Sequence, residues 1–267
     1  MKKKVLLVGL LVVLVAAVSV GLTVAYLTSQ DSETNTFTVG NIGIDLIEQQ
    51  SNEDHTGFVT YDKDEPKTLI PIVGSAQGEK YENGQPKAAN YIDKIVTVKN
   101  TGKNDAWVRA YFAIPSALDD GFEETFNASM NILHFNFGNA DGVTTYNNQW
   151  LWGSVAKPEH SGWNYFETTI DSVAYNVYFA DYYQPLPAGE TTVQFVSGVY
   201  LDANVDITDD GKYTITRKGV TTVIDGLTTA TVVKCPVKVV AVQAAGFDSA
   251  AAAIEAAFGE DFNPYAE

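Results

Sequence analysis

The sequence is short of the residues that build most metal and redox sites. Its 267 residues include one cysteine, Cys235, and three histidines. A lone cysteine cannot form an intrachain disulfide or supply a cysteine-based zinc or iron–sulfur site. Basic residues are also scarce, because 17 lysines and arginines face 33 aspartates and glutamates, for a net charge of −16. Such a chain does not neutralise nucleic-acid phosphates, and its charge opposes docking on anionic lipid.

Only one long apolar run is present, and it lies at the N-terminus. Three lysines precede an almost uninterrupted apolar stretch, Val5–Val24, and this order is typical of a secretory signal peptide. A run of this length could also span a bilayer as an uncleaved anchor. Small residues before a cut between Ala25 and Tyr26 favour cleavage. We therefore predict a signal peptide over residues 1–25 and a single exported domain over residues 26–267, which contacts a membrane only through the uncleaved signal.

The rest of the chain has the alternation of β-structure. Apolar residues make up 45% of the sequence, which is enough for a sizeable core. Ile92–Lys99 and Val108–Ile114 alternate with the period of two expected of half-buried strands. The turn Asn100–Asn104 lies between them, so the pattern predicts a hairpin. A shorter hairpin is predicted over residues 205–216, around an Asp-Gly turn at Asp210.

Helical patterns are confined to two segments. Phe247–Phe258 is alanine-rich, with Asp248 or Ser249 as N-cap and a glycine after its last residue. Leu118–Asn127 is a weaker candidate. A valine-rich strand, broken by a proline, is predicted over residues 231–242. Many short strands and one terminal helix predict an all-β fold, a jelly-roll-like β-sandwich with insertions and a short C-terminal helix.

No catalytic centre is predicted. The three histidines, His55, His134 and His160, are far apart in sequence, and none has the spacing with which one helix presents two imidazoles to zinc. His134 lies in an alternating apolar segment and is interpreted as a strand residue. The sequence also has no nucleophile elbow, phosphate-binding loop or dinucleotide fingerprint. Cys235, in a valine-rich segment, is most simply a buried small hydrophobe.

Two acidic groups could bind calcium through carboxylate oxygens. One spans residues 62–65. The other consists of Asp202, Asp206, Asp209 and Asp210. Neither follows the order of an EF-hand loop, and solvated acidic turns are favoured in so acidic a chain. We therefore predict no cofactor beyond a weak calcium site at the second group.

Aromatic residues are concentrated in residues 146–183, which contain eleven of them. Exposed rings at Trp150, Trp152 and Trp163 could stack on sugars or on a neighbouring subunit, since amphipathic rings suit wet interfaces. The alternation in residues 175–179 instead favours an ordinary core for most of the aromatic side chains.

The N-terminal part of the exported domain suggests a mechanism of assembly. A polar leader precedes an alternating strand over residues 37–48. Its apolar residues are Phe37, Val39, Ile42, Ile44 and Leu46. A strand near a free chain end can add to a sheet edge of its own subunit or of the next one. Head-to-tail addition does not close, so it produces a filament. The residues alone leave open an ordinary first strand of a secreted sandwich.

Three segments carry a resemblance to a known family. They are Ala25–Glu48, Val96–Arg109 and Leu186–Thr192. The run Thr34–Gly40 in the first segment is the most specific, and together the segments cover about a quarter of the chain. On these residues the sequence resembles the TasA/camelysin family of exported bacterial proteins. Ser29-Gln30-Asp31 departs mildly from the family's tighter Thr/Ser-Asp pair, and residues 116–185 match no part of the pattern.

The resemblance implies a jelly roll released by the signal peptidase SipW in a Gram-positive bacterium. It also implies a location in the extracellular biofilm matrix or on the cell surface, where subunits build homopolymeric fibres through N-terminal donor strands. Camelysin is described as a metalloendopeptidase, so a peptidase is one alternative function. A glycan-binding surface adhesin that uses residues 146–183 is another. The main expectation is a structural protein without enzymatic activity.

Overall fold

The computed structural model of the protein describes residues 28–31, 42–63, 67–119, 131–137, 149–153 and 163–266. These residues form an all-β sandwich with a short C-terminal helix, which confirms the predicted fold class. The strands are β1 (Thr28–Asp31), β2 (Ile44–Ser51), β3 (Phe58–Thr60), β4 (Ile92–Asn100), β5 (Ala106–Pro115), β6 (Leu133–Phe137), β7 (Trp150–Leu151), β8 (Tyr165–Ile170), β9 (Val173–Tyr182), β10 (Val196–Leu201), β11 (Val205–Ile207), β12 (Lys212–Arg217), β13 (Val220–Thr228) and β14 (Val237–Gln243). The helix, α1, is Ala250–Phe258.

Two antiparallel sheets form the sandwich. The helix-side sheet has the order β1-β14-β5-β9-β7, and β8 also pairs with β9. The opposite sheet has the order β3-β2-β4-β10-β6, and β11-β12-β13 form a smaller third sheet. The chain passes repeatedly between the two large sheets, so most neighbouring strands are distant in sequence.

The main core lies between the two large sheets. Val96 and Val98 of β4 are fully buried, as are Val108, Ala110 and Phe112 of β5, and all five belong to one hydrophobic cluster. They stand at alternate positions because successive side chains of a strand point to opposite faces. Each large apolar side chain buried in this way stabilises the fold by about 1.5–3 kcal/mol.

A second core covers the outer face of the helix-side sheet. Trp107 and Tyr111 of β5 pack in one cluster with Ile254 of α1 and with Tyr265. Strand β5 is therefore buried on both faces. Ser249, one of the two predicted N-caps, is confirmed: its hydroxyl accepts a hydrogen bond from the Ala252 amide at 3.2 Å. The helix itself starts at Ala250, within the predicted segment Phe247–Phe258.

The two predicted strands on either side of Asn100 are present, but the predicted hairpin is wrong. Strand β4 pairs with β2 and β10, whereas β5 pairs with β14 and β9. The turn crosses from one sheet to the other, and the side-chain amide of Asn100 holds it by donating to the carbonyls of Leu186 at 2.8 Å and Asn104 at 2.9 Å. By contrast, the predicted hairpin over residues 205–216 is confirmed by the pairing of β11 with β12.

Two further predictions are met in part. The valine-rich segment becomes a strand only from Val237, directly after Pro236, which has no amide hydrogen to donate. Of the weaker helical candidate at residues 118–127, Leu118 ends a 3-10 turn that starts at Ser116. Residues 120–130 lie outside the described part of the chain.

Candidate functional site

The N-terminal strand β1 lies at an edge of the helix-side sheet. It pairs antiparallel with β14, with Thr28 opposite Val242 and Asp31 opposite Val239. Strand β14 is its only partner in the described sheets, so one side of its backbone is available for pairing. The predicted cleavage residues Ala25 and Tyr26 lie outside the described residues.

The residues predicted to form a donor strand pair within their own sheet as far as they are described. Ile42 and Ile44 are fully buried, and Leu46 is half-buried against the main core. In strand β2, residues 44–49 pair with β4, whereas β3 pairs on the other side with residues 49–51 only. Phe37 and Val39 lie outside the described residues, and exchange of residues 37–48 between subunits stays a prediction.

The tryptophans proposed for glycan contact are packed in the protein. Trp150 and Trp152 are buried in the main core, and Trp163 is partly buried against it. Trp152 stacks on Phe195 with ring centroids 4.5 Å apart, and the Trp150 indole donates to the Val193 carbonyl at 3.1 Å. The interpretation of these aromatics as core is confirmed, and their buried faces leave little surface for stacking on a sugar.

The described histidines have separate protein partners. His134 in β6 makes a 2.9 Å hydrogen bond to the Asp202 carboxylate and stacks on Tyr200. His55 stacks on Tyr81 with ring centroids 3.8 Å apart. Within the described ranges, no three His, Cys, Asp or Glu side chains converge as a metal site would require. The third histidine, His160, lies outside those ranges.

The acidic residues of the predicted calcium site also contact protein groups. Burial opposes ionisation of Asp202, but hydrogen bonds from His134 and Asn204 outweigh it and lower the pKa of Asp202. The Lys212 ammonium and a hydrogen bond from Thr208 lower the pKa of Asp210 to about 2. Calcium binding by Asp202, Asp206, Asp209 and Asp210 stays a prediction.

Sequence reasoning missed a cavity of about 450 Å³ at one end of the opposite sheet. It lies where β2 ends and β4 begins, beneath the loop that connects β3 to β4. Its lining includes Ser51, His55, Tyr81, Gln85 and Asp93. No local pattern in the sequence marks a glutamine such as Gln85 that becomes buried in the fold.

Comparison with known proteins adds no assignment. Neither family models nor curated proteins match the chain. No helix in the part of the chain that the structure describes has the length and apolar character needed to cross a membrane.

Proposed function

We propose that the protein is a secreted structural subunit of the cell surface or biofilm matrix, and that it assembles into fibres by N-terminal strand addition. The observation that carries this proposal is the position of β1, which begins two residues after Tyr26 and occupies a sheet edge. A short edge strand near a free end is the kind of element that can leave its own sheet and pair with a neighbour's.

The sequence pattern supports the proposal independently. The apolar leader would tether β1 to the membrane until the signal peptidase cuts after Ala25, so cleavage would release the strand for assembly. The resemblance to the TasA/camelysin family supplies the extracellular setting and the fibre. Relative to the sequence-based expectation, the proposed exchanging segment also includes Thr28–Asp31, because these residues pair with β14 at the sheet edge.

The test compares the chain that starts at Tyr26 with a chain that starts at residue 33. Electron microscopy and light scattering should show fibres for the first and a folded monomer for the second. Acid or salt should accelerate assembly, because both weaken the repulsion between subunits of net negative charge. Monomers for both chains across salt and pH, or identical fibres from both, would rule the proposal out.

A reversible lock distinguishes strand exchange from other modes of association. Ser29 and Ala241 are directly opposed, and opposed residues of antiparallel strands lie about 4.5–5.5 Å apart, within the range of a disulfide. Ser29→Cys with Ala241→Cys, in a Cys235→Ala background, should block fibres when oxidised and permit them when reduced. Equal assembly in both redox states would exclude exchange of β1. The Cys235→Ala protein is the control and should assemble in either state.

A further inference from the structure

Strand β13 is the longest strand at an edge of the described sheets. It has nine residues, and β12 pairs with one side of it only. The described edge strands β3, β7 and β11 have two or three residues each. No backbone group of residues 220–223 bonds to a described residue outside this small sheet. This part of β13 therefore offers backbone donors and acceptors to another strand.

The exposed part of β13 lacks the features that protect most sheet edges. Residues 220–224 are β-branched in succession, without a charge or a proline, and such residues favour strands. Residues 220–223 are all exposed, with Val220 62% and Val223 56% accessible. Because side chains alternate along a strand, both faces of this edge are open to an approaching chain. Natural edges are usually blocked by lysine, proline or a bulge, and the bulge in β13 lies after Val223.

The hairpin turn decides which backbone groups of β13 face outward. The two-residue turn 218–219 has positive φ angles of 48° and 78°, which are typical of a type I′ turn, and Arg217 pairs with Val220 across it. In such a turn the Val220 amide donates to the Arg217 carbonyl. Bonding alternates along an antiparallel strand, so the N–H and C=O groups of Thr221 and Val223 point away from β12.

We infer that β13 pairs antiparallel with β13 of a second copy of this chain. About a two-fold axis at Thr222, Thr221 of each copy lies opposite Val223 of the other, and each such pair exchanges both of its backbone bonds. The flanking charges support this orientation, because Lys218 precedes the apolar run and Asp225 follows it. Antiparallel pairing brings each charge beside the opposite charge of the other copy, whereas parallel pairing would bring like charges together.

The pairing of β13 is separable from the exchange of β1. The contact is small, so single subunits should pair weakly and stay monomeric at micromolar concentration. Along a fibre, many such contacts act together and would hold two fibres side by side, because linked sites bind more tightly than single ones. Only this consequence rests on the proposed function, since β13 and β1 belong to different sheets. Pairing of β13 and exchange of β1 can therefore fail independently.

Disulfide trapping in the chain that starts at Tyr26 tests the pairing. Thr222→Cys, in a Cys235→Ala background, places two thiols opposite each other at the axis, with Cα atoms about 4.5 Å apart. Thr221→Cys in the same background is the control, because the two residues at 221 lie about 7–8 Å apart, too far for a disulfide. Under mild oxidation at low salt, Thr222→Cys should form a linked dimer at least about tenfold faster than Thr221→Cys. Equal rates, or no dimer from Thr222→Cys, would overturn the inference.

A charge exchange tests the orientation of the two strands. Lys218→Glu alone and Asp225→Lys alone should each slow the linking of Thr222→Cys, because each brings like charges together in the antiparallel pair. The double variant restores opposite charges and should link as fast as Thr222→Cys does by itself. A double variant no faster than the single ones would overturn antiparallel pairing. A Thr222→Cys chain that links to another exported protein but not to itself would assign the edge to a foreign strand and overturn the inference as well.

Discussion

Tyr178→Phe should destabilise the protein by about 1.5–3 kcal/mol although it removes a single oxygen atom. The Tyr178 hydroxyl donates to Oδ2 of Asp119 at 2.5 Å, and Asp119 is completely buried. The side-chain amides of Asn131 and Asn176 each donate to the same carboxylate at 2.8 Å. A buried carboxylate depends on such charge-assisted bonds, and the variant leaves it with one fewer donor.

The assay is urea unfolding followed by tryptophan fluorescence. Tyr183→Phe is the matched control, because Tyr183 is 41% exposed and its loss of a hydroxyl should change stability by less than about 0.5 kcal/mol. Asp119→Ala should cost more than Tyr178→Phe, and a double-mutant cycle should show strong coupling between the two. Equal stabilities of Tyr178→Phe and Tyr183→Phe, or strict additivity in the cycle, would refute the reasoning.

Three further predictions concern the reactivity of the Cys235 thiol, the stability of the fold in acid and the β-bulge at Gly198. Cys235 is partly buried against the main core, and desolvation raises the pKa of its thiol from 9.0 to about 12. At pH 8 the native thiol should therefore react with Ellman's reagent at least about tenfold more slowly than the thiol of the urea-unfolded chain; comparable rates would contradict this. Because the folded pKa of Asp202 lies below 3.8, its carboxylate stabilises the fold above pH 3.8, and this contribution is lost as pH falls through the folded pKa. Asp202→Asn should therefore be less stable at pH 6 and decline less steeply in acid, and parallel stability curves would count against the assignment. Gly198→Ala would bring a Cβ within 2.5 Å of the Ile92 carbonyl oxygen and should cost about 1–3 kcal/mol, which an unchanged melting temperature would disprove.

Local patterns predicted where the strands lie in the sequence better than they predicted which strands pair with each other. The alternation in β4 and β5 is set by each strand's own faces, so both strands were predicted close to their observed bounds. Their pairing depends on residues far away, because β14 and β9 occupy both edges of β5. The burial of β5 on both faces likewise depends on α1 and Tyr265, which lie more than a hundred residues further along the chain.

For the candidate sites, too, local patterns predicted one part, and contacts between residues distant in sequence decide the rest. The apolar pattern of Ile42 and Ile44 predicted that these side chains fill a groove, and they are fully buried. The pattern alone could not say whose groove they fill, because a strand's own sheet and a neighbour's offer the same contacts. No local pattern marks Gln85 or Asp119 as buried, because each is a single polar residue whose burial is decided by segments distant in sequence.

The edge position of β1 bears on when fibres would form under the proposed mechanism. Ten residues separate Asp31 from Ile42, and a tether of that length holds β1 near its own β14 at an effective concentration of about millimolar. Pairing within the subunit therefore prevails over pairing between subunits until the local subunit concentration reaches this effective concentration. Cleavage after Ala25 would remove three lysines and no acidic residue, which takes the net charge from −16 to −19. Mutual repulsion of the cleaved subunits raises that threshold further. Dilute exported subunits should stay closed, and subunits crowded at the cell surface should exchange strands, so fibre growth should show a critical concentration that falls as salt rises. Growth whose rate is independent of subunit concentration would be incompatible with this competition.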